Sequence, residues 1–405
     1  MMKNREGCSS PIVPSLEARH DSSGLNSRFN GSNLSFADYV AQSRDMIRKV
    51  RAANSVINLN KAVAGNSPFE LAPAGAAAAG REKKYRRGIL LTHGLSDSPY
   101  FMRHLAEFFQ SQGFRVLAVL LPGHGTLPGD MLDIKWQEWL KTVAYGTDKL
   151  VAEVDVVYLG GYSAGGALSI YQSLQDKRIR GLFLFAPALD ITHKAAFANW
   201  HKLLSWLFPR LKWLDIKPDK DLYKYESFAN NTAAQMYALT LALHAKLRSY
   251  ELNIPIFTVA SEDDKTVKTS VTLEFMLGQS NPANQMIVYA TDAKKHAQDY
   301  TANKVEWVNS IVSEQKILSS AHTAILIPPD DEHYGFDGEY ANCIHYYPEE
   351  MEKYLACTRH PKDCWQGEVI PANLNAGTLR RLMYNPNFAE LKVSLAKFID
   401  SLPQD

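Results

Sequence analysis

The chain has 405 residues, 44 Lys+Arg against 43 Asp+Glu, and a hydrophobic share of 46%. This near-neutral balance, with no basic block beyond the run from Arg81 to Arg87, argues against nucleic acid as a partner. No apolar run reaches the about 18 residues that a membrane-spanning helix needs, and four cysteines are too few for a disulfide-built scaffold.

Residues 1–35 are rich in Ser, Asn and Gly without periodicity and are expected to be a flexible lead-in. Within them, Gly7-Cys8-Ser9-Ser10 resembles the lipid-acceptor site of bacterial lipoproteins, but the apolar stretch of about 7–15 residues that precedes such a site is missing. As written, the sequence suggests a cytoplasmic protein. With a signal peptide upstream of Cys8, it would be an envelope lipoprotein held at a membrane surface. Residues 36–85 read as an amphipathic helix, with Tyr39, Val40, Met46, Ile47 and Val50 on one face, and a linker of small residues from Ala72 to Gly80.

From residue 86 to the end the pattern is one α/β domain. Gly88-Ile89-Leu90-Leu91-Thr92 is a short apolar run ending at His93-Gly94, as buried parallel strands do. A helix over 98–112, a strand from Arg115 to Leu121 and a helix over 134–152 follow. Strand 155–160 and helix 164–175 flank Gly161 to Gly165, and further strands are predicted at 180–186, 254–260 and 285–290. Strands alternating with helices at this spacing predict a mostly parallel sheet with helices on both faces. Residues 189–253 are aromatic-rich and predict a wholly helical lid over the strands' carboxyl ends. Most of its aromatics are expected to pack the lid onto the core, with a few left to line an apolar pocket. Residues 328–386 extend past the domain with no legible role, and 387–402 predict a closing helix.

The chemistry concentrates at Gly161-Tyr162-Ser163-Ala164-Gly165. A sharp strand-to-helix turn pushes a serine hydroxyl out of the sheet, needs small neighbours, and leaves the next backbone N–H free at a helix start. The pattern alone is weak, and an incidental serine in a Gly-rich turn would give it too. The strand Val156-Val157-Tyr158-Leu159 before it and the helix signal of Ala167, Leu168 and Tyr171 after it make Ser163 the candidate nucleophile. Ala164 N–H and Leu95 N–H, the latter in the loop Thr92-His93-Gly94-Leu95-Ser96, are the expected oxyanion donors. His93 is expected to brace that loop, because a base preceding the serine breaks the usual order of serine, acid, histidine.

Together, His93-Gly94-Leu95, Pro122-Gly123-His124-Gly125, the elbow and the lid resemble the α/β-hydrolase superfamily. The likeness is to monoacylglycerol lipases and bacterial carboxylesterases of the serine aminopeptidase-like group, over about residues 86–325. It implies that Pro122 to Gly125 is a structural loop and that His124 is not catalytic. It also implies an acid just past the strand after the lid, with an apolar residue three positions on. Asp264-Lys265-Thr266-Val267 fits, which favours Asp264 over Asp263. Asp190 is an outside candidate that reads better as a helix cap.

For the base, His296 is simplest by chain order, yet it sits in the polar run Asp292-Ala293-Lys294-Lys295. His322 has the small residues Ser319, Ser320 and Ala321 before it, and Ser-Ala-His-Thr-Ala resembles family histidine loops, so His322 is favoured. His333, His345 and His360 are expected at the surface or in packing. The resulting expectation is a serine hydrolase cleaving carboxylic esters or lipids through an acyl-enzyme, with no cofactor and no metal. The alternatives are an acyltransferase or peptidase with the same triad, and a non-catalytic binding protein on the same fold. Cys343, His345, Cys357, His360 and Cys364 match no standard zinc spacing; in an oxidising compartment Cys357 and Cys364 are the expected disulfide pair.

Overall fold

A computed structural model describes residues 14–54, 56–73, 85–190, 208–296 and 305–403. The helices, in chain order, are α1 (Phe36–Ala53), α2 (Leu59–Asn66), α3 (Arg103–Ser111), α4 (Trp136–Glu153) and α5 (Ala164–Gln175). They continue as α6 (Asn230–Leu247), α7 (Thr269–Leu277), α8 (Ala293–His296), α9 (Met351–Arg359), α10 (Pro371–Leu374) and α11 (Phe388–Ser401). The strands of the central sheet are β1 (Phe69–Leu71), β2 (Tyr85–Thr92), β3 (Arg115–Val119), β4 (Val154–Tyr162) and β5 (Ile179–Phe185). After a separate short pair, β6 (Trp213–Asp215) and β7 (Phe228–Ala229), the sheet resumes with β8 (Ile256–Ser261), β9 (Gln285–Ala290) and β10 (Val305–Asn309). A second parallel pair, β11 (Trp365–Gly367) and β12 (Leu379–Arg381), lies in the C-terminal extension.

The sheet runs β1-β3-β2-β4-β5-β8-β9-β10, parallel throughout except for antiparallel β1 on one edge. Its faces follow from the register. Leu91, Gly160 and Phe183 are successive partners and so point the same way. Phe183 meets Phe109 of α3 at 4.8 Å and Phe398 of α11 at 5.4 Å, so these two helices cover that face. Leu90 points oppositely, against Gly146 of α4, where a methyl group would collide with it. The strand interiors are apolar on both faces because both are covered.

The chain departs from the sequence reading in several places. The lead-in expected to be flexible is anchored in its described part: Asn26 Nδ2 donates to the His124 carbonyl at 2.7 Å, and Ser23 N–H to Asp130 at 2.6 Å. Buried His20 meets the Trp213 ring edge-on at 4.9 Å. These contacts are long-range and polar, so local composition did not show them. The residues around the Ala-rich linker also hold α2 and the edge strand β1, both too short to signal by periodicity.

The segment expected to form a lid, residues 189–253, is not wholly helical among the described residues: β6 and β7 pair antiparallel and only α6 is a long helix. Trp200 and Trp206 of this segment lie outside the described residues, while Trp213, Tyr223 and Tyr225 are buried. The disulfide joins Cys343 to Cys357, leaving Cys364 a buried thiol, so the expected Cys357–Cys364 pair is wrong. Cys357 lies inside α9 while Cys364 follows the next turn, and proximity in sequence did not translate into facing side chains.

Candidate active site

The elbow is built by steric necessity. Ser163 has φ 53° and ψ −114°, a left-handed strained conformation for a residue with a Cβ. A Cβ on Gly161 would overlap the Gly165 carbonyl, and a Cβ on Gly165 would overlap the Thr92 carbonyl. Two main-chain bonds hold the turn: Ser163 N–H to Phe185 O at 2.9 Å and Ala188 N–H to Ser163 O at 2.9 Å. Ser163 therefore sits at the carboxyl end of β4, only 6% exposed, with α5 beginning at Ala164.

Ser163 Oγ lies 3.1 Å from His322 Nε2, and His322 Nδ1 lies 2.6 Å from Asp264 Oδ2. Asp264 follows β8, and its other oxygen accepts the N–H groups of Thr266 at 2.7 Å and Val267 at 2.9 Å. Burial works to raise the Asp264 carboxyl, but the His322 imidazole and those N–H groups outweigh it and hold the group below its usual range. His322 is 4% exposed and opens a short 3₁₀ turn, His322–Ala324.

The histidine backbone is held at both polar atoms. Tyr162 donates its hydroxyl to the His322 carbonyl at 3.0 Å, and His322 N–H donates to Glu368 Oε2 at 3.1 Å. Glu368 in turn pairs with Arg381: Nη2 donates to Oε2 at 2.7 Å and Nε lies 2.7 Å from Oε1.

The loop after β2 leaves the sheet beside the elbow, since Thr92 and Gly161 are register partners. His93 Nε2 accepts Leu121 N–H at 3.1 Å, which puts the ring proton on Nδ1, 2.9 Å from Gly94 O. Gly94 O and Leu95 N–H belong to one trans peptide, so this bond aims the Leu95 N–H the opposite way. Asp97 accepts Gly94 N–H at 2.6 Å, and His124 Nε2 lies 2.7 Å from Leu95 O. Burial lowers the His124 imidazole to about 4, so it is neutral and structural.

The other candidates stand apart. Asp263, beside Asp264, is pushed up to about 6 by burial and by the neighbouring Glu262 and Glu368, and its Oδ2 has no partner among the described residues. Asp190 pairs with Lys268 at 2.6 Å, and the helix it was expected to cap would begin outside the described residues. His296 ends α8 and its side chain lies outside the described residues. Among the described residues, α8, β10 and the turn after it lie between β9 and His322, which accounts for part of the long stretch from acid to base. His333 is not a surface group: it is buried, with Asp221 at 3.3 Å and Glu339 at 3.2 Å. Sequence reasoning missed Tyr162, Glu368 and Arg381. A Glu–Arg pair from an extension with no motif leaves no local signal.

A cavity of about 370 Å³ opens beside these residues, lined among others by Ser96, Lys224, Glu226, Tyr340, Thr266 and Arg381. Lys224 Nζ donates to Ser96 Oγ at 2.5 Å, and burial pushes the Glu226 carboxyl up to about 7. Tyr225, Phe228, Ile344 and Val369 add apolar wall, so the cavity is mixed in character.

The family model described as serine aminopeptidase, S33, matches residues 83–293, just over half of the chain. The chain belongs to this family of α/β-hydrolases. Among curated relatives, a thermostable monoacylglycerol lipase of Bacillus sp. is 29% identical over 181 residues, covering 44% of this chain and 71% of the relative. The phospholipase YtpA of Bacillus subtilis is 32% identical over 129 residues, 31% of this chain and half of the relative. Among solved structures, the monoacylglycerol lipase of Paleococcus ferrophilus is 17% identical with a TM-score of 0.42, over 55% of this chain and 88% of its own. The family match ends at residue 293, so His322, Glu368 and Arg381 all lie beyond it.

Proposed function

We propose that this family member is a serine hydrolase that cleaves carboxylic esters through an acyl-enzyme, with Ser163 as nucleophile, His322 as general base and Asp264 as its orienting acid. The continuous contact from Ser163 Oγ through the imidazole to Asp264 carries this reading. His322 takes the serine proton as Oγ attacks the acyl carbon. Leu95 and Ala164 N–H groups stabilise the tetrahedral oxyanion, and the imidazolium then protonates the departing alcohol. Water, activated by the same imidazole, frees the acyl group.

The monoacylglycerol lipase and phospholipase relatives support an acylglycerol or other lipid ester as substrate. Turnover of p-nitrophenyl esters from acetyl to palmitoyl, and of monoacylglycerol, tests this. No turnover of any of them by wild type would overturn it. The family description favours a second reading, amide cleavage by the same residues, and aminoacyl p-nitroanilides turned over faster than esters would select it.

Attachment to a membrane surface through a lipidated Cys8 belongs to the same proposal, although Cys8 lies outside the described residues. The Gly7-Cys8-Ser9-Ser10 sequence and the Cys343–Cys357 disulfide, which suits an oxidising compartment, support it. Intact mass of protein from a bacterial host bearing an added signal peptide tests it: a diacylglycerol adduct that Cys8→Ser removes is expected, and no adduct sinks it.

A further inference from the structure

We propose that Glu368 and Arg381 are positioning residues for the general base: an ion pair of a buried carboxylate and a partly buried guanidinium, supplied by the C-terminal extension, that fixes the backbone of His322 and balances the charge around its imidazole. The proposal rests on the catalytic roles given above to Ser163, His322 and Asp264.

Glu368 is 1% exposed, and a buried carboxylate is retained only when its oxygens are occupied. Its carboxylate bonds both the site and the pair. Oε2 accepts His322 N–H at 3.1 Å and the Arg381 guanidinium at 2.7 Å; Oε1 accepts Val369 N–H at 2.8 Å and lies 2.7 Å from Arg381 Nε. Arg381 Nη2 also donates to Thr266 Oγ1 at 2.9 Å, within the turn that holds Asp264. One guanidinium thus ties the acid turn to the carboxylate that ties down the base.

The pair is rigidly sited. Gly367 and Arg381 are register partners of β11 and β12, Glu368 N–H donates to Ser319 Oγ at 3.0 Å, and Arg381 N–H donates to Asn342 O at 2.8 Å. Asn342 adjoins disulfide-bonded Cys343. The extension is therefore not a passive appendage: its buried Glu368 carboxylate and partly buried Arg381 guanidinium meet at the histidine loop.

The pair also has an electrostatic consequence. The charged and titratable groups near the imidazole include Asp264 from the loop after β8, Tyr162 from the elbow, and Glu368 and Arg381 from the extension, with Asp97 acting on Tyr162 and Lys224 on Arg381. While Glu368 and Arg381 are both present, their charges offset each other near a base that must become cationic during the reaction. Removing the carboxylate alone leaves an unpaired cation that opposes the imidazolium; removing the guanidinium alone leaves a buried anion that favours it.

The test is the pH dependence of kcat/KM on a short ester for Glu368→Gln, Arg381→Met and the double variant Glu368→Met/Arg381→Met. Glu368→Gln is expected to move the acid limb down by about half to one pH unit, and Arg381→Met to move it up by a similar amount. The double variant replaces both charges with apolar side chains, which a buried site accepts. It is expected to keep the wild-type limb but lose about 10–100-fold in kcat with KM little changed, since His322 N–H has lost its acceptor. Single variants whose limbs do not move, or move in the same direction, overturn the proposal. So does a double variant with wild-type kcat, whether or not the single variants fold. A wild type that neither turns over esters nor reacts with a fluorophosphonate would instead overturn the underlying catalytic reading.

Discussion

The Tyr162 hydroxyl donates to the His322 carbonyl at 3.0 Å, so the residue immediately before the candidate nucleophile anchors the main chain of the candidate base across 160 residues of sequence. The elbow thus does more than present a serine. It also fixes where the imidazole begins, and the 3.1 Å separation between Ser163 Oγ and His322 Nε2 depends on both.

The elbow glycines are sterically required. Gly165→Ala drives a methyl group into the Thr92 carbonyl, which is backbone and cannot rotate away. Displacing Ser163 by even about 1 Å is expected to cost on the order of 10²-fold in kcat, with a fall in thermal midpoint from the strained packing. Calorimetry and ester kinetics on the same preparation check both.

In the proposed mechanism His93 orients the Gly94–Leu95 peptide rather than moving a proton. His93→Ala frees the Gly94–Leu95 peptide and is expected to lower kcat by about 10²-fold, up to the cost of one lost oxyanion donor, while KM stays near wild type. A mechanism in which His93 is the base would instead show the far larger loss expected of a triad histidine.

The two adjacent aspartates separate cleanly. Asp264→Asn leaves the geometry but favours the wrong imidazole tautomer, and a loss of about 10⁴-fold in kcat is expected. Asp263→Asn is expected to leave kcat within a few-fold of wild type. Its carboxyl is raised in the folded state to about 6, above the unfolded value of about 3.9, so ionising it costs stability as pH rises between those values. The group is partly solvated, so the gain from Asp263→Asn is about 1 kcal/mol at pH 8, and it vanishes below pH about 4. Asp264 has the opposite sign: its lowered carboxyl stabilises the fold fully above the unfolded value, and this is lost as pH falls through the folded one. Urea midpoints at pH 4 and pH 8 read both.

How much of this was legible in the sequence depends on whether a signal was local. The strand before Ser163, the helix after it and the turn Asp264 to Val267 are contiguous patterns, and the fold class followed from them. His322 was favoured through the small residues Ser319 to Ala321, a weaker signal interrupted by β10, which had not been recognised as a strand. Glu368 and Arg381 were invisible because an ion pair is a relationship between distant segments. The lid was read as helix throughout because its aromatic density carries no period, and β6 and β7 are too short to show alternation. Cys343 was passed over for Cys364 because chain proximity was the only guide.

The Cys343–Cys357 bridge closes a loop of 14 residues within the extension that holds Arg381. Opening it with dithiothreitol, or by Cys343→Ser, is expected to destabilise the extension by about 3 kcal/mol. Thermal unfolding with and without reductant measures this, and an unchanged midpoint would show that the bridge does not staple the fold.

The central claim is that one hydroxyl, at Ser163, is made nucleophilic by the imidazole of His322. Intact mass spectrometry after fluorophosphonate treatment, with peptide mapping, tests it most directly. The expected result is a single adduct on the peptide carrying Ser163, abolished in Ser163→Ala and slowed by orders of magnitude in His322→Ala. A wild-type protein that takes up no adduct, or a Ser163→Ala variant labelled at the wild-type rate, would contradict it.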